Sequence, residues 1–156
     1  MNEWLALAIA VGACFGAAAL GSWPTVRGLR EWYPSLRKPS WNPPNRVFGP
    51  VWTALYLAMA VAAWLVWRSG ADVTVALGLF ALQLALNVAW SVVFFGQRNA
   101  SGAFVVIVGL WLAIAATLIA FGSIDPVAGA LFVPYLVWVT FASFLNRAVA
   151  RLNTAT

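Results

Sequence analysis

Histidine is absent from this 156-residue chain, cysteine occurs once, and the carboxylates number four: Glu3, Glu31, Asp72 and Asp125. Without histidine the chain lacks the commonest metal ligand and the usual general base near neutral pH. The single Cys14 excludes an intramolecular disulfide. The four acids stand outside the apolar runs or at their ends, so no buried carboxylate pair for acid–base chemistry can be drawn. No glycine-rich phosphate loop and no metal-ligand cluster is present either. Charged residues make up only 8% of the chain, against about a quarter in ordinary soluble domains.

Apolar residues take the place of charge. They are 63% of the chain, and the mean hydropathy is +0.88. A membrane-spanning helix needs about 20 such residues, and five runs qualify: residues 4–20, 48–67, 73–95, 102–121 and 128–146. The first is too long, and lacks the basic flank, for a cleaved signal peptide. These runs predict an all-α integral membrane protein, one five-helix bundle spanning residues 1–156. Three connectors are short, which makes sequence neighbours antiparallel. The exception is the loop 21–47 between the first and second spans.

Eight of the nine Lys and Arg residues fall on the side of that loop and the C-terminus. Cytoplasmic flanks carry such an excess, so the expectation is a multi-pass protein with an outside N-terminus and a cytoplasmic C-terminus, in a bacterial inner membrane. The net charge of +5 comes from these flanking residues rather than from one basic face. Anionic lipid headgroups are the expected counter-charge, and nucleic acid is not an expected partner.

The long loop is stiff and aromatic. Pro34, Pro39, Pro43 and Pro44 fix φ and remove donors, and Trp32, Tyr33 and Trp41 lie among them. An ordered connector of this kind reads as a lid or binding element. On the third span Gln83, Asn87 and Ser91 recur at i, i+4 and i+8 beside Trp90. Such a stripe serves either interhelical hydrogen bonding or a ligand pocket, and the pattern alone leaves both open. Trp52 and Tyr56 stand four residues apart on the second span, as do Trp138 and Ala142 on the fifth, after Pro134. At 1.5 Å per residue, Trp52, Asn87, Trp90, Ser91 and Trp138 all lie roughly 6–14 Å from the loop side. They gather under the loop as a pocket lies under a lid. Trp4, Trp23 and Trp67 suit the membrane interface, whereas Trp111 and Trp138 lie near mid-span.

The segments Trp32-Tyr33, Lys38-Pro39-Ser40-Trp41-Asn42-Pro43-Pro44, Val51-Trp52-Thr53, Gln83 to Asn87, Phe94-Phe95-Gly96 and Val133 to Trp138 resemble the tryptophan-rich sensory protein/translocator protein (TspO) family across nearly the whole chain. The resemblance implies a five-helix bundle, commonly dimeric through the third helix, that binds protoporphyrin IX or other tetrapyrroles beneath the first loop. It implies no required cofactor, the porphyrin being a ligand, and no metal. By matching position it implies Trp52, Tyr56, Asn87, Trp90, Ser91, Trp138 and Ala142 as ligand-binding residues, with Trp32, Tyr33 and Pro44 from the loop. One departure concerns sterols: the run Leu145-Asn146-Arg147-Ala148-Val149-Ala150-Arg151 lacks the aromatic that follows Leu-Asn in animal relatives, which argues against tight cholesterol binding. Arg30 to Leu36 fits only the inverted form of that pattern.

The expected function is thus a membrane receptor or carrier for porphyrins, with a regulatory or transport role. Two alternatives stay open: light- and oxygen-dependent porphyrin degradation, with Trp52 and Trp138 as redox partners, and a ligand-gated regulatory scaffold. Small-residue faces at Gly12/Gly16 and Ala81/Ala85 would allow close helix approach, within the bundle or between copies.

Overall fold

The computed structural model describes residues 2–154. Five helices, each long and apolar enough to cross a membrane, account for nearly all of them: α1 (Glu3–Glu31), α2 (Phe48–Arg68), α3 (Thr74–Ser91), α4 (Ala100–Ile124) and α5 (Pro126–Thr154). Side chains close the starts of α1, α4 and α5. Asn2 Oδ1 accepts from Trp4 N at 2.8 Å, Asn99 Oδ1 from Gly102 N at 2.9 Å, and Asp125 Oδ1 from Val127 N at 2.8 Å. Each satisfies an amide that the first turn leaves without a partner.

The helices close into a ring in the order α1, α2, α5, α4, α3. Consecutive helices are therefore not always neighbours: the α2 and α3 backbones barely meet, despite their short connector. They communicate through long side chains instead. Between α4 and α5 the reverse holds. A Cβ on Gly129 would sit 2.6 Å from Gly122 Cα, so only glycine lets these two backbones touch. The main core runs down the middle of the bundle, around Met59, Ile114, Phe121, Phe132 and Tyr135.

Two boundaries differ from those the sequence predicts. Helix α1 does not end near Leu20 but continues through Pro24 to Glu31. Proline removes one backbone bond there, and nearby hydroxyls cap carbonyls around the break. Ser22 Oγ donates to Ala19 O at 3.0 Å, and Thr25 Oγ1 to Gly21 O at 2.7 Å. The free loop thus shrinks to residues 32–47, interrupted by single 3-10 turns at Tyr33–Ser35 and Asn45–Val47. Helix α5 likewise runs eight residues beyond Asn146. Its extra turns are amphipathic: Val149 and Ala150 are buried while Arg147 and Arg151 face out.

Those turns found a second, smaller core with Tyr33, Phe94, Phe95, Ala100, Ala103 and Leu145. Phe94 and Phe95 reach it because the chain after α3 widens into a π-helical turn, Val92–Gly96. One extra residue in such a turn re-aims the side chains that follow. Arg98 then adopts a left-handed φ of 54° and joins Glu31 at 2.9 Å, tying the end of α1 to the start of α4. The pair is half exposed and contributes little to stability; its effect is on register.

Candidate ligand-binding cavity

Beneath the loop lies a cavity of about 330 Å³. Helix α1 supplies small and apolar groups to it, among them Ala18, Gly21, Ser22 and Thr25. Helix α2 supplies Gly49, Trp52 and Tyr56, and α3 gives Asn87, Trp90 and Ser91. Helix α5 closes it with Trp138, Phe141, Ala142 and Asn146, while Tyr33 reaches in from the loop. Eight of the ten residues expected at a site therefore meet around one space.

The other two do not. The Trp32 ring packs edge-on against Phe94, with centroids 5.4 Å apart, and belongs to the core that supports the loop. Pro44 is exposed; its carbonyl accepts from Val47 N at 3.0 Å and starts the turn into α2. Its neighbours Asn45 and Phe48 line the cavity instead. Trp111, near mid-span on α4, stays outside the cavity and donates from Nε1 to Thr140 Oγ1 at 2.8 Å. Trp4 and Trp23 are 71% and 70% exposed, as residues of a membrane interface would be, while Trp67 is half-buried.

Aromatic rings form the walls. Trp52 lies 5.8 Å from Tyr56 and meets Tyr135 edge-on at 6.2 Å. Trp138 contacts Phe48 and Phe141 at 6.0 and 5.6 Å, and Trp90 stacks on Phe94 at 5.4 Å. The floor is polar. Tyr56 Oη donates to Asn87 Oδ1 at 3.3 Å, and Asn87 Nδ2 donates to Tyr135 Oη at 2.7 Å. Tyr135 Oη donates in turn to Gln83 Oε1 at 2.8 Å. Gln83, Asn87 and Tyr135 are all buried; of the α3 stripe, Asn87 and Ser91 face the cavity, while Gln83 joins helices behind it. Nearer the loop, Trp90 Nε1 donates to Asn146 Oδ1 at 2.9 Å, and Asn146 Nδ2 to Ala100 O at 2.8 Å. Among the described residues Trp138 Nε1 is the one buried side-chain nitrogen or oxygen without a hydrogen-bond partner.

The loop is bound down at several points. Tyr33 Oη donates to Asn42 Oδ1 at 2.7 Å. Burial pushes the Tyr33 hydroxyl up to about 12, the bond to Asn42 pulling the other way. Lys38 Nζ donates to the carbonyls of Tyr33 and Leu36 at 2.7 and 3.1 Å and lies 4.8 Å from the Tyr33 ring centre. Its charge is engaged within the loop. No group of three or more metal-ligating side chains occurs among the described residues.

Residues 9–152 match the model of the TspO/MBR family. The chain belongs to that family. Among similar proteins is the tryptophan-rich protein TspO of Chlorobaculum tepidum, 43% identical over 97% of this chain and 98% of its own. The tryptophan-rich sensory protein of Cereibacter sphaeroides is 42% identical over 97% and 93%. The human translocator protein is 46% identical over 81% and 76%. As a TspO/MBR member with five apolar helices, the chain is a multi-pass integral membrane protein. Its family is one of membrane receptors and transporters.

Sequence reasoning missed the α1 wall of this TspO/MBR cavity. Past Leu20 the chain was expected to be loop, and before it every position is apolar or small, so no period separates a cavity face from a lipid face. Asn146, Phe141 and Phe95 were also missed. The signal for Asn146 was available: an amide in an apolar helix needs partners, and it lies one turn beyond Ala142.

Proposed function

We propose that the chain is a membrane receptor or carrier for porphyrin-type ligands such as protoporphyrin IX. The observation that carries this reading is the cavity itself, an aromatic-walled slot of about 330 Å³ with an amide floor and an ordered cover. Ligand sites are concave, mainly apolar, and carry few polar groups. A flat macrocycle would lie against Trp52 and Trp138. With no histidine in the chain, axial haem ligation of the common kind is excluded, and free-base porphyrin is favoured. Arg46 follows the cavity residue Asn45 in the same turn and would meet a propionate at the rim. Titration of the purified protein with protoporphyrin IX, followed by tryptophan quenching, tests the reading; quenching that never saturates would defeat it.

A second reading is favoured by the ring chain Tyr56–Trp52–Tyr135, in which Trp52 lies 5.8 Å from Tyr56 and 6.2 Å from Tyr135 between centroids. Oxidisable side chains this close to a light-absorbing ligand would support its photo-oxidative breakdown. Product formation under illumination in air distinguishes degradation from binding.

Two further features belong to the same reading. The charge bias supports an outside N-terminus and a cytoplasmic C-terminus, which reporter fusions at both ends would check. Ala81 and Ala85 are exposed on α3, where a second copy would pack to form a homodimer. Crosslinking in lipid that traps monomer alone would contradict the dimer.

A further inference from the structure

The orientation of the Asn87 amide, on the cavity wall, is set by side chains behind that wall. Tyr135 and Gln83 are both fully buried and neither lines the cavity. A tyrosine hydroxyl has one proton to donate, and that of Tyr135 goes to Gln83 Oε1 at 2.8 Å. The Gln83 amide is itself oriented by its Nε2, which lies 3.7 Å from Met59 Sδ. With its proton engaged, the Tyr135 oxygen can only accept, so Asn87 must turn its NH2 toward it, at 2.7 Å. The Asn87 carbonyl is then left to Tyr56 Oη, at 3.3 Å. A flipped Asn87 would bring its oxygen against an oxygen with no proton to give.

We propose that Tyr135 is a positioning residue that acts through Asn87, locking the amide so that the second N–H of Nδ2 is offered to the cavity. Among the described residues Tyr135 is the protein acceptor of Nδ2, so the other N–H remains for an occupant. The ligand class that fits places a hydrogen-bond acceptor there: a carbonyl oxygen or an unprotonated ring nitrogen. For the identity of the probe this rests on the porphyrin reading above; the orientation of the amide does not.

The test has a ligand-free arm and a ligand arm. Protein labelled with ¹⁵N-asparagine gives a side-chain amide pair for Asn87, assigned by its loss in Asn87→Ala. Tyr135→Phe should move that pair toward the shifts of a free amide. Gln83→Met frees the Tyr135 proton to donate to Asn87 Oδ1, which reverses the amide, and should move the pair as well while keeping the Tyr135 ring in place. In the ligand arm, Tyr135→Phe should weaken protoporphyrin IX binding about tenfold in the otherwise native chain, and have no further effect on top of Asn87→Ala. A merely structural role would lower affinity equally in both backgrounds. Unchanged Asn87 signals in both Tyr135→Phe and Gln83→Met, or equal losses in the two backgrounds, would overturn the proposal. If the native chain shows no saturable porphyrin binding, the porphyrin reading fails, and the amide signals still decide the role of Tyr135.

Discussion

Asn153, near the end of α5, grips the backbone of Arg37 in the loop from both sides. Its Oδ1 accepts from Arg37 N at 3.0 Å and its Nδ2 donates to Arg37 O at 2.9 Å, while Nδ2 also reaches Val149 O at 2.8 Å. The cover of the cavity is thereby fastened to the helix that carries Trp138. Asn153→Ala removes both bonds. Two exposed hydrogen bonds, each at the low end of the usual range, together contribute about 1 kcal/mol, so tryptic cleavage after Arg37 should rise about fivefold at unchanged melting temperature. Cleavage at the native rate would show that the loop is held elsewhere.

Gly28 is the point where α1 touches the π-helical turn. A Cβ there would lie 2.7 Å from Phe95 Cβ and 2.9 Å from Phe95 O, and backbone cannot yield as a flexible side chain would. Gly28→Ala should cost about 1–3 kcal/mol by overpacking and should shift Phe95, which lines the cavity. Thermal unfolding in detergent measures the first effect. A native melting temperature would mean that the two elements separate without cost.

The pH response of the loop follows from Tyr33. Its hydroxyl titrates near 12 when folded and near 10 when free. A raised pKa means that the stabilisation is complete below about 10 and is lost as pH rises through about 12. Absorbance titration at 295 nm should show a component near pH 12 that vanishes in Tyr33→Phe, and loop protection should stay flat from pH 6 to 9. A component that vanishes near pH 10 instead would place Tyr33 in solvent.

Much of this was legible in the chain. Five apolar runs predicted five helices because each backbone group in a membrane must be bonded within its own segment. The i, i+4, i+8 spacing placed Gln83, Asn87 and Ser91 on one face, and helix rise put them level with Trp52 and Trp138. Ends of helices were less legible. Pro24 reads as a break, yet the hydroxyls of Ser22 and Thr25 let α1 pass through it. The turns after Asn146 read as a charged tail, since their buried side depends on a second core whose members are distant in sequence. That Trp32 and Pro44 do not line the cavity was not legible for a related reason: proline-rich loops have no period from which to read a facing direction. Tyr135 lay inside a recognised segment, but its role depends on which neighbour takes one proton.

The most direct test of a porphyrin cavity compares two tryptophans. Stacking on an aromatic ring contributes about 1–3 kcal/mol for comparable flat rings. In titrations of protoporphyrin IX, Trp138→Ala should therefore weaken binding about tenfold or more. Trp111→Phe loses only the bond to Thr140 outside the cavity, worth about 1 kcal/mol of stability, and should leave affinity within about twofold. Equal loss of affinity in the two variants would contradict the assignment and leave both tryptophans as packing residues.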